Sequence, residues 1–333
     1  MAKPSFLAVP DSFKGTLSAA AVAEAIASGL GAAGAEADLC PAADGGEGTV
    51  EALLRGVGGE RRAASAHDPL GREIEASFAL LAERPGAAEP SPTAAVEVAE
   101  ASGLGRVTER ERDAEAADSR GTGELISAAI GAGARRILVA AGGSAGTDGG
   151  RGAIEAIESG GGLGGARLEV LCDTRVPFER AAEVFAPQKG ADDEAVRRLE
   201  RRLLAYAGAL PRDPRGRTMT GAAGGLAGGL WAAHDARLVP GAAYVLGLLG
   251  FDRRLERAHA VITGEGRLDA QSFEGKLVGE VVRRCRAAGL PAHAIVGEDG
   301  LGAAEAERRG IASVQAAGDP ESIARAAARI AAG

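Results

Sequence analysis

Short apolar runs alternate along the chain with longer stretches in which apolar positions recur at a spacing of four. The first run, 6–9, leads through a polar segment to Val22, Ile26 and Leu30, which occupy one face of a helix. Ser18 precedes this stretch and suits the N-cap, because its hydroxyl can accept a hydrogen bond from the first helical turn. The pattern predicts a strand followed by a helix.

The same strand, loop and helix order recurs further along the chain. Buried strands are predicted at 135–141 and 260–263, each followed by a Gly-rich loop and then by a helical pattern. A further strand, 292–296, precedes a final pair of helices. Strands that alternate with helices in this way predict an α/β fold with a mostly parallel sheet and helices on both faces.

Polar residues collect in the loops that follow three of these strands. In parallel sheets, ligands bind beyond the carboxyl ends of the strands. We therefore expect the three loops to converge on one crevice. Their polar members are Asp11, Ser12 and Lys14, then Ser144, Thr147 and Asp148, then Glu265, Arg267 and Asp269.

The length of 333 residues suits two domains. The stretch between about 66 and 120 is less regular, and its Pro- and Ala-rich part, 84–93, predicts a surface turn. We assign 1–66 together with about 240–333 to a Rossmann-like α/β domain. About 67–239 form a second, inserted α/β domain.

Composition and charge narrow the function classes. The net charge is −8 and no block of like charges occurs, so binding to nucleic acid is not expected. No signal peptide and no apolar stretch of transmembrane length is present. The three cysteines are far apart, which favours a reducing cytoplasm. The sequence leaves a homodimer open.

Lysine is rare, with four residues against thirty-four arginines. Lys14, Lys189 and Lys276 nevertheless all lie in or beside Gly-containing segments. A lysine ammonium is a compact point charge on a flexible stem, which suits a phosphate or a small carboxylate. This placement predicts binding of a small anion.

Glycines and acids form three further clusters at 43–49, 142–150 and 263–269. Gly-rich loops bring backbone N–H groups close to phosphates, and carboxylates can hold Mg²⁺ or accept a proton. Phosphoryl transfer requires a loop that surrounds the phosphates, a cation, acids that bind a metal and a base, and these clusters together with the lysines match those requirements. The binding candidates in these clusters include Gly45, Gly46, Glu47, Gly142 and Gly143.

Several other interpretations fit less well. The segment 274–277 resembles half a P-loop, but no Ser or Thr follows its lysine. An NAD-linked oxidoreductase would need a G-x-G-x-x-G turn after the first strand, where 11–16 reads D-S-F-K-G-T. Close helix packing explains the glycines of 220–230, and the isolated histidines suit structural or solvated positions.

Nine segments, taken in order, resemble the bacterial glycerate kinase family, the type that phosphorylates D-glycerate. The resemblance runs nearly end to end. The segments are V-P-D-S-F-K-G-T-L-S-A (9–19), P-A-A-D-G-G-E-G-T (41–49), D-P-L-G-R (68–72), V-E-V-A-E-A-S-G-L (96–104), S-R-G-T-G-E-L-I (119–126), G-G-S-A-G-T-D-G-G (142–150), V-F-A-P-Q-K-G-A (184–191), G-A-A-G-G-L-A-G-G-L (221–230) and V-I-T-G-E-G-R-L-D-A-Q-S-F-E-G-K (261–276).

The resemblance implies Mg²⁺- and ATP-dependent phosphorylation of glycerate, usually to 2-phosphoglycerate. It also implies two α/β lobes with the active site in the cleft between them. Roles carried over from it are positive charge for Lys14, metal binding or base catalysis for Asp44 and Asp148, and anion binding for Ser144 and its glycines. Arg267 would bind the carboxylate of the substrate or the migrating phosphoryl group. Asp269 is the second candidate for proton transfer or metal binding.

Three departures from the family pattern concern the acceptor. Gly146 and Thr147 replace a Thr-Asn pair, 172–180 is shorter and lacks an Asn, and Arg120 stands where Tyr is common. Arg120 or Arg175 can accommodate a different hydroxy acid or lie on the surface. A kinase for another small hydroxy or sugar acid, a 3-phosphoglycerate product and a non-catalytic nucleotide- or acid-binding protein stay open as alternatives.

Overall fold

The computed structural model describes residues 4–83 and 91–333. The chain divides into two compact units. The first unit contains the residues up to Asp44, Glu51–Gly56 and Ala242–Gly333; the second contains Gly45–Val50 and Val57–Gly241. Residues 45–50 and 57–66, which were predicted in the first domain, lie in the second unit. Most of the predicted surface turn, 84–90, lies outside the described residues.

The strands follow the predicted runs closely at 136–140 and 260–264. In chain order they are β1 (Ser5–Pro10), β2 (Glu36–Leu39), β3 (Gly59–His67), β4 (Glu73–Leu81), β5 (Thr93–Glu97), β6 (Arg136–Ala140), β7 (Arg167–Cys172), β8 (Arg237–Pro240), β9 (Ala260–Gly264), β10 (Arg267–Leu268), β11 (Ala292–Val296), β12 (Glu298–Asp299) and β13 (Ser313–Ala316).

The helices include those predicted after each Gly-rich loop. In chain order they are α1 (Ala19–Ala32), α2 (Thr49–Val57), α3 (Val98–Ser102), α4 (Arg120–Gly131), α5 (Arg151–Ser159), α6 (Ala181–Phe185), α7 (Asp193–Ala209), α8 (Leu226–His234), α9 (Gly241–Leu248), α10 (Phe251–Leu255), α11 (Leu277–Ala288), α12 (Ala303–Arg309) and α13 (Pro320–Ala332). Within the described ranges, none of these helices is long and apolar enough to cross a membrane.

The first unit contains a parallel sheet in the order β13-β11-β9-β1-β2, five strands among the residues described. The Ser18 hydroxyl caps α1 by accepting a hydrogen bond from the Ala21 N–H, as predicted. Val22, Ile26 and Leu30 are fully buried in the core of this unit. Burying such aliphatic side chains contributes roughly 1.5–3 kcal/mol each, so the apolar face of α1 holds the helix on the sheet.

The strand order of the first sheet contains a topological switch point. The chain leaves β1 for β2 on one side, and later returns to β9 on the other side of β1 before moving outward to β11 and β13. Right-handed crossovers therefore place α1 and α11 on opposite faces. Ligands of such sheets bind in the crevice beyond the carboxyl ends of the two strands at the switch. In this unit those strands are β1 and β9.

The second unit contains a mixed sheet in the order β3-β4-β5-β6-β7-β8, six strands within 4–83 and 91–333. Strands β5 to β8 are parallel, whereas β3, β4 and β5 pair antiparallel. The strands β5 to β7 are buried beyond their first residues, as expected for parallel strands that are covered on both faces. Their buried residues are apolar except for Glu97 in β5 and Glu169 in β7.

The three loops that were predicted to converge on one crevice follow strands of two different sheets. The loops after β1 and β9 leave neighbouring strands of the first sheet, but the loop 142–150 follows β6 of the second sheet. Hydrophobic periodicity identifies a strand without identifying the sheet that it joins, since pairing partners are set by contacts distant in sequence. The predicted site residues must therefore be described as two groups, one in each unit.

Candidate active site

The crevice of the first unit lies where β1 and β9 end side by side. The register pairs Pro10 with Gly264, so the next residues, Asp11 and Glu265, leave the sheet at the same level. The Asp11 N–H donates to the Gly264 carbonyl at 2.9 Å, which extends the pairing by one residue. The Thr263 hydroxyl also donates to the Val9 carbonyl, joining the two strand ends. The switch point thus presents two carboxylates.

Asp11, Asp44 and Glu265 form the acidic group of this crevice. Asp11 and Asp44 are buried, with 9% and 6% of their surface exposed. Burial and the Asp44 carboxylate raise the pKa of Asp11 well above its usual range. Burial also raises the pKa of Glu265 to about 7, although the hydrogen bond from Ser272 and the charge of Lys276 act to lower it. A carboxyl with a pKa near 7, as in Glu265, can exchange protons near neutral pH.

A short 3₁₀ turn, Ala270–Phe273, positions the Glu265 side chain. The fully buried Ser272 accepts a hydrogen bond from the Asp269 N–H at 3.0 Å and is also bonded to Glu265. The Asp269 carboxylate caps the same turn by accepting from the Gln271 N–H. Asp269, predicted for proton or metal work, therefore has a structural role in this conformation. Ser272 lies within the motif 261–276, but no role was predicted for it from the sequence.

The lysines of the first unit frame the acidic group from two loops. Lys14 is exposed and lies close enough to Asp11 to favour its ionised form. Lys276 is the N-cap residue of α11, half-buried, and acts in the same way on Glu265. The twelve-residue α11 adds partial positive charge at that end. Acids and lysines together make this crevice suitable for phosphate groups that carry a metal.

Arg267 does not join that group in the structure. It forms the short strand β10, is exposed, and pairs with Glu298 at 3.6 Å. Both side chains are 62% exposed, and a surface ion pair of this kind contributes little to stability. The guanidinium is consequently available to a ligand only if this pair opens. Its predicted role in binding the substrate stays a prediction.

The candidate site of the second unit is a cavity of about 80 Å³ at the carboxyl ends of β6 and β7. Lys189 lies in its wall and is fully buried. Its Nζ donates to the Ser144 hydroxyl at 2.9 Å and to the Gly146 carbonyl at 2.5 Å. Burial lowers the pKa of Lys189 to about 7, although the charges of Asp148 and Asp173 oppose that change. The Lys189 side chain can therefore gain or lose its proton near neutral pH.

Backbone groups in left-handed conformations line the same cavity. Gly143 and Gly224 have φ values of 72° and 65°, and Ala223 has φ 52°, which is unusual for a residue with a Cβ. Backbone turns can present N–H groups to one side and form anion-binding concavities. Ala223 and Gly224 belong to the segment 220–230, whose glycines were predicted to serve helix packing, and they also line this cavity together with Gly142, Gly143 and Ser144.

Three of the sequence motifs meet within the second unit. A Cβ on Gly142 would lie 2.4 Å from the Gly46 Cα, so only glycine lets these two backbones approach. The Leu104 N–H donates to the Gly143 carbonyl, and the Ala145 N–H donates to the Ser102 carbonyl. The loops 43–49, 96–104 and 142–150 therefore support one another. Gly45 is buried within this contact region, whereas Glu47 is exposed.

Asp148 is held by hydrogen bonds from the protein itself. Its carboxylate accepts from the Ser119 N–H and hydroxyl at 3.0 and 2.7 Å, and from the N–H groups of Gly150 and Gly152 at 2.9 and 3.0 Å. The Ser119 hydroxyl accepts in turn from the Ala153 N–H. These bonds fix the start of α5 and reach both carboxylate oxygens. The predicted roles of Asp148 as base or metal ligand stay predictions.

Glu97 is a buried acid that the sequence-based site prediction missed. It is the last residue of β5 and accepts a hydrogen bond from the Val50 N–H at 2.6 Å and a second from the Gly48 backbone. Burial raises the pKa of Glu97 to about 7. The carboxylate thereby holds the end of the 43–49 loop at the start of α2. The sequence offered one indication of this residue, because Glu97 is a charged residue at the end of an apolar run within the motif 96–104.

The acids of the first unit suit a divalent cation better than those of the second. One oxygen of Glu265, Oε1, is buried with no hydrogen-bond partner among the described residues. Among the described residues, no group of three or more His, Cys, Asp or Glu could hold a metal by itself. Mg²⁺ does not need one, because it usually takes one or two carboxylates together with substrate phosphates and water. Asp44 with Asp11 or Glu265 fits that requirement.

The departures from the family pattern have local structural explanations. A Cβ on Gly146 would lie 2.6 Å from the Ala117 carbonyl oxygen, so glycine is required there. Arg120 pairs with Glu124 at 2.9 Å and Arg175 is exposed, consistent with surface positions. Thr147 carries a buried hydroxyl with no partner among the described residues. These contacts give no reason to discard a small-acid acceptor.

The first unit is a doubly wound α/β unit with acids and lysines at its switch point. The second unit contains a buried lysine in a small polar cavity. Together these features define a class of proteins that bind phosphorylated and acidic small molecules. Comparison with known proteins narrows this class. A model of the glycerate kinase family matches residues 6–161 and 160–332. The chain belongs to the glycerate kinase family and is a kinase, which implies the use of ATP.

Named relatives and a solved structure agree with this assignment. The chain is 35% identical over 330 residues to a glycerate kinase of Halalkalibacterium halodurans, covering 88% of this chain and 85% of that protein. It is 36% identical over 305 residues to the glycerate 2-kinase of Escherichia coli, covering 80% and 78%. The crystal structure of a putative glycerate kinase 2 from Salmonella typhimurium superimposes with TM-score 0.81 at 33% identity, covering 99% and 98% of the chains.

Proposed function

We propose that this protein transfers the γ-phosphoryl group of ATP to D-glycerate and produces 2-phosphoglycerate. The observation that carries the choice of acceptor is the buried Lys189 beside Ser144 in a cavity of about 80 Å³. A buried ammonium with a neighbouring hydroxyl matches a carboxylate, and the volume suits a three-carbon acid rather than a nucleotide. The name of the relative from Escherichia coli, glycerate 2-kinase, supports the choice of product.

The crevice of the first unit supplies the groups that the nucleotide end of the reaction requires. Lys14 and Lys276, with the N-terminus of α11, bring positive charge to phosphate oxygens. Asp44, with Asp11 or Glu265, would hold Mg²⁺, which neutralises charge on the phosphates when bound. A carboxyl of this group with a raised pKa, such as Asp11, suits the acceptance of a hydroxyl proton.

The second unit holds the acceptor acid in this proposal. Lys189 and Ser144 bind the carboxylate of glycerate, while the N–H groups near Gly143 and Gly224 surround it. The contact between Gly46 and Gly142 fixes the loop that carries Ser144. That the residues of both units serve one reaction is part of the proposal, and it predicts that variants in either unit reduce the same turnover.

A coupled ADP-release assay with Mg-ATP and D-glycerate, with the product resolved by phosphorus NMR, tests the proposal. Formation of 2-phosphoglycerate is the expected result. Formation of 3-phosphoglycerate would retain the kinase and correct the position of transfer. Turnover with a different small hydroxy acid, and none with glycerate, would overturn the acceptor. A protein that neither binds nor hydrolyses ATP would overturn the whole proposal.

A further inference from the structure

A second cavity, of about 190 Å³, lies within the first unit at the carboxyl end of β2. Its walls come from α1, from the residues that follow β2, and from the region of Leu249 and Arg254. The residues that line it differ from the acids and lysines of the crevice. The functions assigned above therefore do not account for this space.

The cavity lies next to the switch point along the edge of the sheet. Strand β2 pairs with β1, and β1 pairs with β9, which borders the crevice on its other side. Adjacent strands are only about 5 Å apart. A ligand whose reacting end occupies the crevice and which extends along the carboxyl edge toward β2 would reach this cavity. A triphosphate joined through a ribose to a base has that extended form.

The walls suit a flat, apolar group. Ala20 and Ala23 lie one helical turn apart on α1 and leave room for a ring, while Leu39, Pro41 and Leu249 provide apolar surface around it. The volume is below the range of about 300–1,000 Å³ that is usual for a whole drug-sized ligand. The cavity is therefore expected to accept one ring system rather than a complete nucleotide.

The charges around the cavity are paired, which favours a neutral ligand over a second anion. The Arg254 guanidinium donates to the Leu39 carbonyl at 2.7 Å and lies 3.3 Å from Asp38. Arg55 lies 3.6 Å from Glu24. Because each guanidinium already has a carboxylate partner, a phosphate or carboxylate would gain less here than in the crevice. A neutral ring avoids that competition.

We propose that this cavity receives the purine ring of ATP, an inference that rests on the proposed function. Arg254 contributes more than charge, because its contacts with Asp38 and the Leu39 carbonyl hold the guanidinium plane in place. A guanidinium held in this way stacks on an aromatic face. The base is thereby recognised by apolar contact and stacking, while the phosphates are recognised separately in the crevice.

The test enlarges the side chain at a cavity wall and measures the nucleoside and phosphate parts of ATP separately. Ala23→Leu is expected to fill the space, raise the KM for ATP at least tenfold and leave the KM for D-glycerate unchanged. In calorimetric titrations, adenosine should lose its binding to the variant, whereas inorganic tripolyphosphate should bind as it does to the wild-type protein. Ala27→Leu, on the same helix but not in the wall, is the matched control.

The outcomes separate this inference from the proposed function. An unchanged KM for ATP in folded Ala23→Leu, with wild-type adenosine binding, overturns the inference and leaves the kinase intact. A wild-type protein without turnover overturns the proposed function, but Ala23-dependent binding of adenosine would still support the cavity assignment. If Ala23→Leu does not fold, Ala20→Val provides the same comparison with a smaller intrusion, and an unchanged affinity for adenosine there also counts against the inference.

Discussion

The crevice of the first unit gathers carboxylates, whereas the cavity of the second unit is built around one ammonium group. Burial raises the pKa of Asp11 and of Glu265 in the crevice, and it lowers the pKa of Lys189 in the cavity. In both places burial disfavours the charged form, and an oppositely charged ligand favours it. A cation would favour the ionised acids, and an anion would favour the protonated lysine.

This contrast assigns different ligands to the two units. A site rich in acids with lysines nearby suits phosphates together with a metal ion, and a small cavity with one buried lysine suits a carboxylate. Glycines permit close backbone contact in both places, because a Cβ on Gly264 would lie 2.0 Å from the Ile295 carbonyl oxygen and a Cβ on Gly142 would lie 2.4 Å from the Gly46 Cα. The acidic crevice differs in that it depends on two strand ends at a switch point.

The largest expected effect comes from the acidic side of the comparison. Asp44→Asn should lower kcat by roughly 10³-fold, within the range for loss of a proton-transferring or metal-holding group. The affinity for D-glycerate should change little, because the carboxylate of the acceptor is assigned to the second unit. Steady-state kinetics with varied ATP, glycerate and Mg²⁺ measure both quantities.

The control for that experiment is an acid in the same unit at the opposite end of the sheet. Glu36 is exposed at the start of β2, and Glu36→Gln should retain full turnover. If Asp44→Asn and Glu36→Gln behaved alike, the acidic crevice would have no catalytic role and the comparison between the units would fail.

The second prediction concerns the cationic side. Lys189→Met keeps a long side chain without charge and should raise the KM for D-glycerate by roughly tenfold to a hundredfold, as expected from the loss of a charge-assisted hydrogen bond. The KM for ATP should stay near the wild-type value. A variant with the reverse pattern, ATP weakened and glycerate unchanged, would exchange the ligand assignments of the two units.

Part of this arrangement could be predicted from the sequence. The strands at 136–140 and 260–264 and the Ser18 cap follow from local patterns, and the structure confirms them. The predicted domain division already placed the loop 142–150 in the second domain, but the strand pairing of β6 could not be predicted, because it depends on contacts distant in sequence. The hydrogen bonds from Ser119 to Asp148 could not be predicted for the same reason, since the two residues are 29 positions apart.

The third prediction concerns the kind of cation in the crevice. Lys14→Arg should fold normally and lose most of its activity, by about tenfold, because a guanidinium is bulkier and has a fixed donor geometry. Lys14→Ala should lose at least as much. Thermal unfolding checks that both variants fold, and the coupled assay measures turnover. Wild-type turnover in Lys14→Arg would show that any positive charge suffices at this position.

The smallest expected effect is a rise of the free energy of unfolding with pH above about 7, which is assigned to Lys189 in the cavity of the second unit. The ordinary pKa of a lysine is 10.5, but burial lowers the pKa of Lys189 to about 7 in the folded protein. Between these values the unfolded chain binds one more proton than the folded chain. The free energy of unfolding should therefore rise with pH, by up to about 1.4 kcal/mol per pH unit from this group.

Urea unfolding of the wild-type protein and of Lys189→Met at pH 7.5 and 8.5 isolates this contribution. Glu265 and Glu97, with pKa values of about 7, have largely titrated below that range, and burial keeps the pKa of the Cys40 thiol at about 11, above it. Other groups contribute equally to both proteins, so the difference between their slopes belongs to Lys189. Equal slopes would mean that Lys189 keeps its ordinary pKa in the folded protein. Burial would then perturb the pKa values of the acids in the crevice but not that of the lysine in the cavity.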